Sequence, residues 1–150
     1  MMNRTEILSK MKEKGLYDAT ELRSGASAGT LTETEIIDRE ISAPAFDPAK
    51  DYSAWPVNSP VTDDGQVWLL IQPYNAASHE GRPAALRALW GLAHTRNPEK
   101  AKPYVAPFGT SGLYHKDECC LWTDGKVYVS RIDSNAYDPA AYPDGWELAE

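Results

Sequence analysis

The 150-residue sequence has no apolar run of about 18 residues, the length a membrane-crossing helix needs. No apolar core follows the opening Met1-Met2-Asn3-Arg4-Thr5-Glu6, so no secretory leader is expected. The product is expected to be made in the cytoplasm and to leave it only by lysis or a dedicated machine. Basic clusters are also missing. The densest stretch, Lys10-Met11-Lys12-Glu13-Lys14, is interrupted, and the formal net charge is −7. Neutralising a phosphate backbone needs clustered Lys and Arg, so neither nucleic acid nor membrane is expected as a partner.

Metal-ligand spacing is absent too. His79, His94 and His115 have no second His at i+2, i+3 or i+4. The P-loop and dinucleotide fingerprints do not occur. Gly109-Thr110-Ser111-Gly112 lacks the spacing of a nucleophile elbow. Neither cofactor nor metal is therefore expected, and nothing marks the pair of carboxylates across a cleft that a glycosidase uses. There are 2 cysteines, the neighbours Cys119 and Cys120. Ring closure between adjacent cysteines strains the peptide, so both are read as reduced thiols, at least one of them on a strand.

Turn-formers and two kinds of aromatic are plentiful instead. Proline (11) and glycine (10) divide the chain into short elements, and 5 Trp and 8 Tyr stand against 2 Phe. Trp and Tyr bring large apolar area with a polar handle, which suits small cores and sugar-stacking surfaces. Asn3 reads as the N-cap of a helix over roughly residues 4–14, with Gly15 just past its end. Ser24–Gly29 reads as a flexible loop. Thr32-Glu33-Thr34-Glu35 has the form of a capping box, and a helix over about 33–40 would place Ile37 and Ile41 on one face. Ala43–Pro48 reads as an extended linker.

The remainder contains a repeat. Asp64-Gly65-Gln66-Val67-Trp68 matches Asp124-Gly125-Lys126-Val127-Tyr128, and Asn75-Ala76 matches Asn135-Ala136. Pro83-Ala84-Ala85 then matches Pro139-Ala140-Ala141, and Trp90-Gly91-Leu92-Ala93 matches Trp146-Glu147-Leu148-Ala149. The offset is 60 residues through the Asn and 56 from the Pro onward, so the first copy has a loop four residues longer near Ser78–Gly81. Asp-Gly signals a hairpin turn, because Gly accepts positive φ without steric cost. Leu86–Trp90 has helical character that Tyr142-Pro143-Asp144-Gly145-Trp146 cannot share, so one or two helical turns are expected in the first copy alone.

The expected fold is mainly β with a short α-helical N-terminal segment and two tandem small three-stranded β modules. The expected divisions are a helical segment and linker (1–50), a first module (51–96), a linker (97–111) and a second module (112–150). Trp68, Trp90, Tyr128 and Trp146 are expected in the module cores, with Gly65 and Gly125 as structural turn residues. Trp122, Tyr137, Tyr142 and Tyr74 are the candidate ligand-facing aromatics. Asn75 and Asn135 share a repeat position, where an Asn either bonds its own turn or meets a sugar hydroxyl.

Tyr114–Glu118, Asp124-Gly125-Lys126-Val127-Tyr128, Asn135, Pro139, Tyr142-Pro143 and Gly145-Trp146-Glu147 together resemble the small chitin-binding modules of carbohydrate-binding families 5 and 12. The version most similar is the one appended to tail and other structural proteins of phages and prophages of Gram-positive bacteria. The resemblance covers residues 112–149 well, residues 52–93 through the repeat, and residues 1–50 not at all. It implies a non-catalytic virion component that partners with itself and other virion proteins. It also implies contact with a cell-wall glycan or chitin, alone or as accessory to a glycan hydrolase. The aromatic pair that follows the second strand in chitin-binding members is replaced here by Ser130–Ser134 in one copy and by a stretch whose single aromatic is Tyr74 in the other.

Overall fold

The computed structural model describes residues 3–149. The chain is mainly β behind a helical N-terminus. Two α-helices precede two separate sheets of three and four strands. No helix among the described residues is long and apolar enough to cross a membrane.

Helix α1 spans Arg4–Ala28, far beyond the expected stop at Gly15. Its first turn is closed reciprocally: the Asn3 side chain accepts from the Glu6 N–H, and the Glu6 carboxylate accepts from the Asn3 N–H. Its last turn ends on Gly29 in the left-handed region (φ 74°). Ser24–Gly29, read as a loop, is therefore the helix terminus. The small residues there serve packing, since a Cβ on Gly25 would come within 2.8 Å of the Leu31 side chain. Leu22 and Ala26 are the buried residues of α1, while Ile7, Leu8, Met11, Leu16 and Tyr17 are exposed. Helix α2 (Glu33–Asp38) has the capping box expected of Thr32 and Glu35. It is shorter than expected, and a 3-10 turn over Glu40–Ser42 follows. Ile36 and Ile37 are buried, whereas Ile41 is 96% exposed, because the change of helical period turns it away from the core.

The first sheet is an antiparallel meander of β1 (Pro60–Asp63), β2 (Gln66–Leu70) and β3 (Trp90–Leu92). Alternation along β2 sends Val67 to one face and Trp68 and Leu70 to the other. Val67 joins Leu22, Ala26, Ile36, Ile37 and Ala93 in a core beneath the helices. Trp68 and Leu70 join Phe46, Tyr52, Tyr74 and Trp90 in an aromatic core. There Tyr52 meets Trp90 edge-on at 5.4 Å between centroids.

The second sheet holds β4 (Lys102–Pro103), β5 (Cys119–Leu121), β6 (Val127–Ser130) and β7 (Trp146–Leu148). It has four strands rather than three, because the stretch read as a linker supplies β4, parallel to β5. Its core is small: Tyr114, Cys120 and Trp146, with Tyr104 and Tyr128 packed against them. Both cysteines lie on β5, free and buried. The segment Leu86–Leu89 forms turns rather than a helix, after a 3-10 turn at Pro83–Ala85.

Several hydrogen bonds recur at matched positions of the two sheets. Leu70 faces Trp90 as Ser130 faces Trp146, and Trp68 faces Leu92 as Tyr128 faces Leu148. The Ile71 N–H donates to Leu89 O as the Arg131 N–H donates to Gly145 O, and the Ala93 N–H donates to Val67 O as the Ala149 N–H donates to Val127 O. Asn58 and Asp117 both sit at positive φ, 70° and 75°, and donate to Leu70 O and Ser130 O respectively. The hairpins differ in length. Asp63 pairs with Gln66 around Asp64-Gly65, whereas Leu121 pairs with Val127 around a longer loop closed by Trp122 N–H to Lys126 O.

Candidate functional site

Tyr137 and Tyr142 are the two candidate aromatics that the fold brings together in the open. Their rings meet edge to face at 5.9 Å and 78°, with exposures of 60% and 38%. The backbone beneath them is tied at several points. Asn135, buried, donates through Nδ2 to Ser130 Oγ and Gly145 O at 3.2 Å each, and its Oδ1 accepts from the Tyr137 N–H at 3.1 Å. The Trp146 indole N–H donates to Tyr137 O at 2.9 Å. Asp138 Oδ1 accepts from the N–H groups of Ala140 and Ala141, and the Tyr142 N–H donates to Asp138 O. Gly145 leaves room for the Tyr142 ring, which a Cβ there would approach to 2.7 Å. Two aromatic rings at a fixed angle, with the half-buried Asp138 carboxylate beside them, suit the apolar face of a pyranose ring with its hydroxyls at the rim.

The other candidates lie elsewhere. Tyr74 is buried, and its hydroxyl accepts from the Trp90 indole N–H at 2.8 Å, so it belongs to the first aromatic core rather than to the surface. Asn75 is half-buried and caps its own turn by accepting from the Ala77 N–H at 3.1 Å. Asn135 makes the equivalent bond to Tyr137, so both Asn act on turns rather than facing outward. Trp122 is half-buried and packs edge-on against Tyr104 at 5.3 Å, apart from the Tyr137–Tyr142 corner. Trp68, Trp90 and Trp146 are buried. Tyr128 is half-buried, its hydroxyl donating to Asp124 Oδ2 at 2.7 Å. Gly65 and Gly125 are exposed at the hairpin tips, at φ 74° and 82°, outside the cores.

A second concave feature was not legible in the sequence. A cleft of about 480 Å³ opens where α2, the segment after β3 and the loops of the second sheet meet, lined by Glu33, Arg96, His115, Glu118 and Asp133 among others. Glu33 Oε1 accepts from the His94 N–H at 3.0 Å, and Glu118 Oε1 accepts from the His115 N–H. Burial pushes the Glu33 carboxyl up to about 7, helped by the Glu118 charge and opposed by the His94 bond, His115 and Arg96. Burial also raises Glu118. Beside the cleft His94 stacks on Tyr114 at 3.7 Å, and burial holds its imidazole down at about 4. These groups come from positions up to 100 residues apart, from Glu33 to Asp133, without a local motif. Among the described residues no three His, Cys, Asp or Glu are arranged to hold a metal ion.

No protein-family model and no curated protein matches this chain.

Proposed function

We propose that this chain is a non-catalytic accessory protein of a phage or prophage particle, at the tail, baseplate or fibre, and that it contacts cell-wall glycan. In this reading the two sheets are tandem copies of one carbohydrate-binding-like module. The matched registers, the paired positive-φ residues and the shared Asn turn caps support that duplication. The first copy buries its aromatics in a core of its own, on the face of the sheet away from the helices, and serves as the base. The second copy keeps an aromatic corner open. Helix α1, exposed over most of its length, is the attachment element toward other copies or other virion proteins.

The observation that carries the glycan role is the Tyr137–Tyr142 corner, two exposed rings held on a backbone fixed by Asn135 and Trp146. Retention of the purified chain on insoluble chitin and peptidoglycan tests it. The wild type is expected to be retained. Tyr137→Ala and Tyr142→Ala are each expected to weaken retention by about tenfold, the worth of one stacked ring at roughly 1–1.5 kcal/mol. A wild-type chain that passes through both glycans unretained rules the reading out.

A further inference from the structure

We propose that a groove between the Glu40–Ser42 turn and the first hairpin receives the basic tip of helix α1 from a second copy, so that copies join head to tail. This deepens the reading of the chain as a self-assembling particle component and rests on it. The groove, about 700 Å³, is lined by four carboxylates, those of Asp38, Glu40, Asp63 and Asp64, and by two ammonium groups, Lys100 and Lys102. Lys102 is ion-paired with Glu40, and Asp63 is held by a two-toothed contact from Arg82. Asp38, Asp64 and Lys100 are left exposed, without an ion pair among the described residues, so carboxylates outnumber ammonium groups two to one among the free charges.

Two further features mark the groove as incomplete. Gln66 lines it at only 6% exposure. Its amide N–H donates to Pro103 O, but its Oε1 has no hydrogen-bond partner among the described residues. A buried carbonyl oxygen without a donor is uncommon in a finished structure. Beside it Ile41 is almost wholly exposed, an apolar side chain on an acidic rim.

The tip of α1 has the complementary chemistry. Arg4, Lys10 and Lys12 outnumber Glu6 and Glu13, with Lys14 already paired to Asp18, while the chain as a whole is acidic. Ile7, Leu8 and Met11 are exposed on the same turns, and with Gly15 they continue the stripe that seats Leu22 and Ala26 in the body. A basic tip with an apolar stripe fits an acidic groove with an apolar rim. Among the described residues no ion pair joins a chain's own tip to its own groove. The C-terminal half of α1 packs against the Glu40–Ser42 turn and β1. At 1.5 Å per residue, Lys10 stands about 18 Å along the axis from Leu22. Tip and groove are different surfaces, so the contact is heterologous and closes a ring or extends a filament.

Sedimentation of the full chain at about 0.05 M and about 1 M salt, with two variants, tests this. Lys10→Glu with Lys12→Glu reverses the tip, and Asp38→Lys with Asp64→Asn neutralises and reverses the groove while keeping a residue tolerant of positive φ at the hairpin. The wild type is expected to associate at low salt and to dissociate at high salt. Each variant alone is expected to associate at least tenfold more weakly. Mixing them is expected to restore association, because one retains an intact groove and the other an intact tip. A monomeric wild type, association unchanged by the groove variant, or a mixture no larger than its parts overturns the proposal. Circular dichroism checks that both variants are folded. Retention on glycan, read on the same variants, is expected to be unchanged, so failure here is separable from failure of the glycan site.

Discussion

Asn75 and Asn135 occupy one repeat position, and their surroundings separate their weight. Asn135 is buried and makes three side-chain bonds, to Ser130, Gly145 and Tyr137. Asn75 is half-buried and caps a turn through one. Removing the buried Asn135 amide leaves the Tyr137 N–H without its acceptor and takes one of two donors from Gly145 O, which keeps the Arg131 N–H. Asn135→Ala is therefore expected to cost about 2–3 kcal/mol in denaturant unfolding, and Asn75→Ala about 1 kcal/mol. Equal costs would contradict the assignment of Asn135 as the brace behind the Tyr137–Tyr142 corner. The sequence made the shared Asn position visible through the repeat, and the turn-capping alternative was open from composition alone. That Tyr74 lies inside was not visible, because its burial depends on Phe46, Tyr52 and Trp90, brought together from three separate stretches.

At the scale of elements, local rules worked where the deciding groups are neighbours in sequence. The Asn3 cap, the Thr32–Glu35 capping box and the Asp-Gly turns with the strands around them are such cases. They failed at α1. Local propensity makes Gly15 a terminator, since glycine costs about 1 kcal/mol in a helix interior. The helix passes through it because Leu22 and Ala26 are seated against α2 and the first sheet, and Gly29 supplies the real stop. A Cβ at Gly15 would meet nothing within 4 Å. Gly15→Ala is thus expected to stabilise the chain by about 0.5–1 kcal/mol and to raise helical ellipticity. A destabilised variant would mean the helix is broken there. Strand β4 escaped notice for a related reason: Lys102 and Pro103 carry no alternation, and their place is set by the parallel partner Cys120-Leu121.

Two groups at the joint between α2 and the two sheets link the stability of the whole molecule to pH. Glu33 titrates at about 7 in the fold against an ordinary value of 4.5. Its contribution is fully present below the unfolded value and is lost as pH rises through 7. His94 has the opposite sign: at about 4 against 6.5, its contribution is present above 6.5 and is lost as pH falls through 4. Between about pH 6.5 and about pH 8, above the His94 window, the wild type is expected to lose roughly 1 kcal/mol through Glu33. Glu33→Gln keeps an oxygen for the His94 N–H and removes the charge. It is expected to flatten the alkaline side of the stability profile, measured as urea midpoints across that range. An unchanged slope would place the titrating group elsewhere.

A sugar is expected to meet the chain at the Tyr137–Tyr142 corner. Backbone amide shifts of the isotope-labelled protein, followed on titration with an N-acetylglucosamine oligomer, locate that contact directly. The expected result is a cluster of shifts at Tyr137, Asp138, Ala141 and Tyr142 that saturates with ligand and is lost in Tyr142→Ala. An unperturbed spectrum, or shifts gathered around Tyr74 and Asn75 instead, contradicts it.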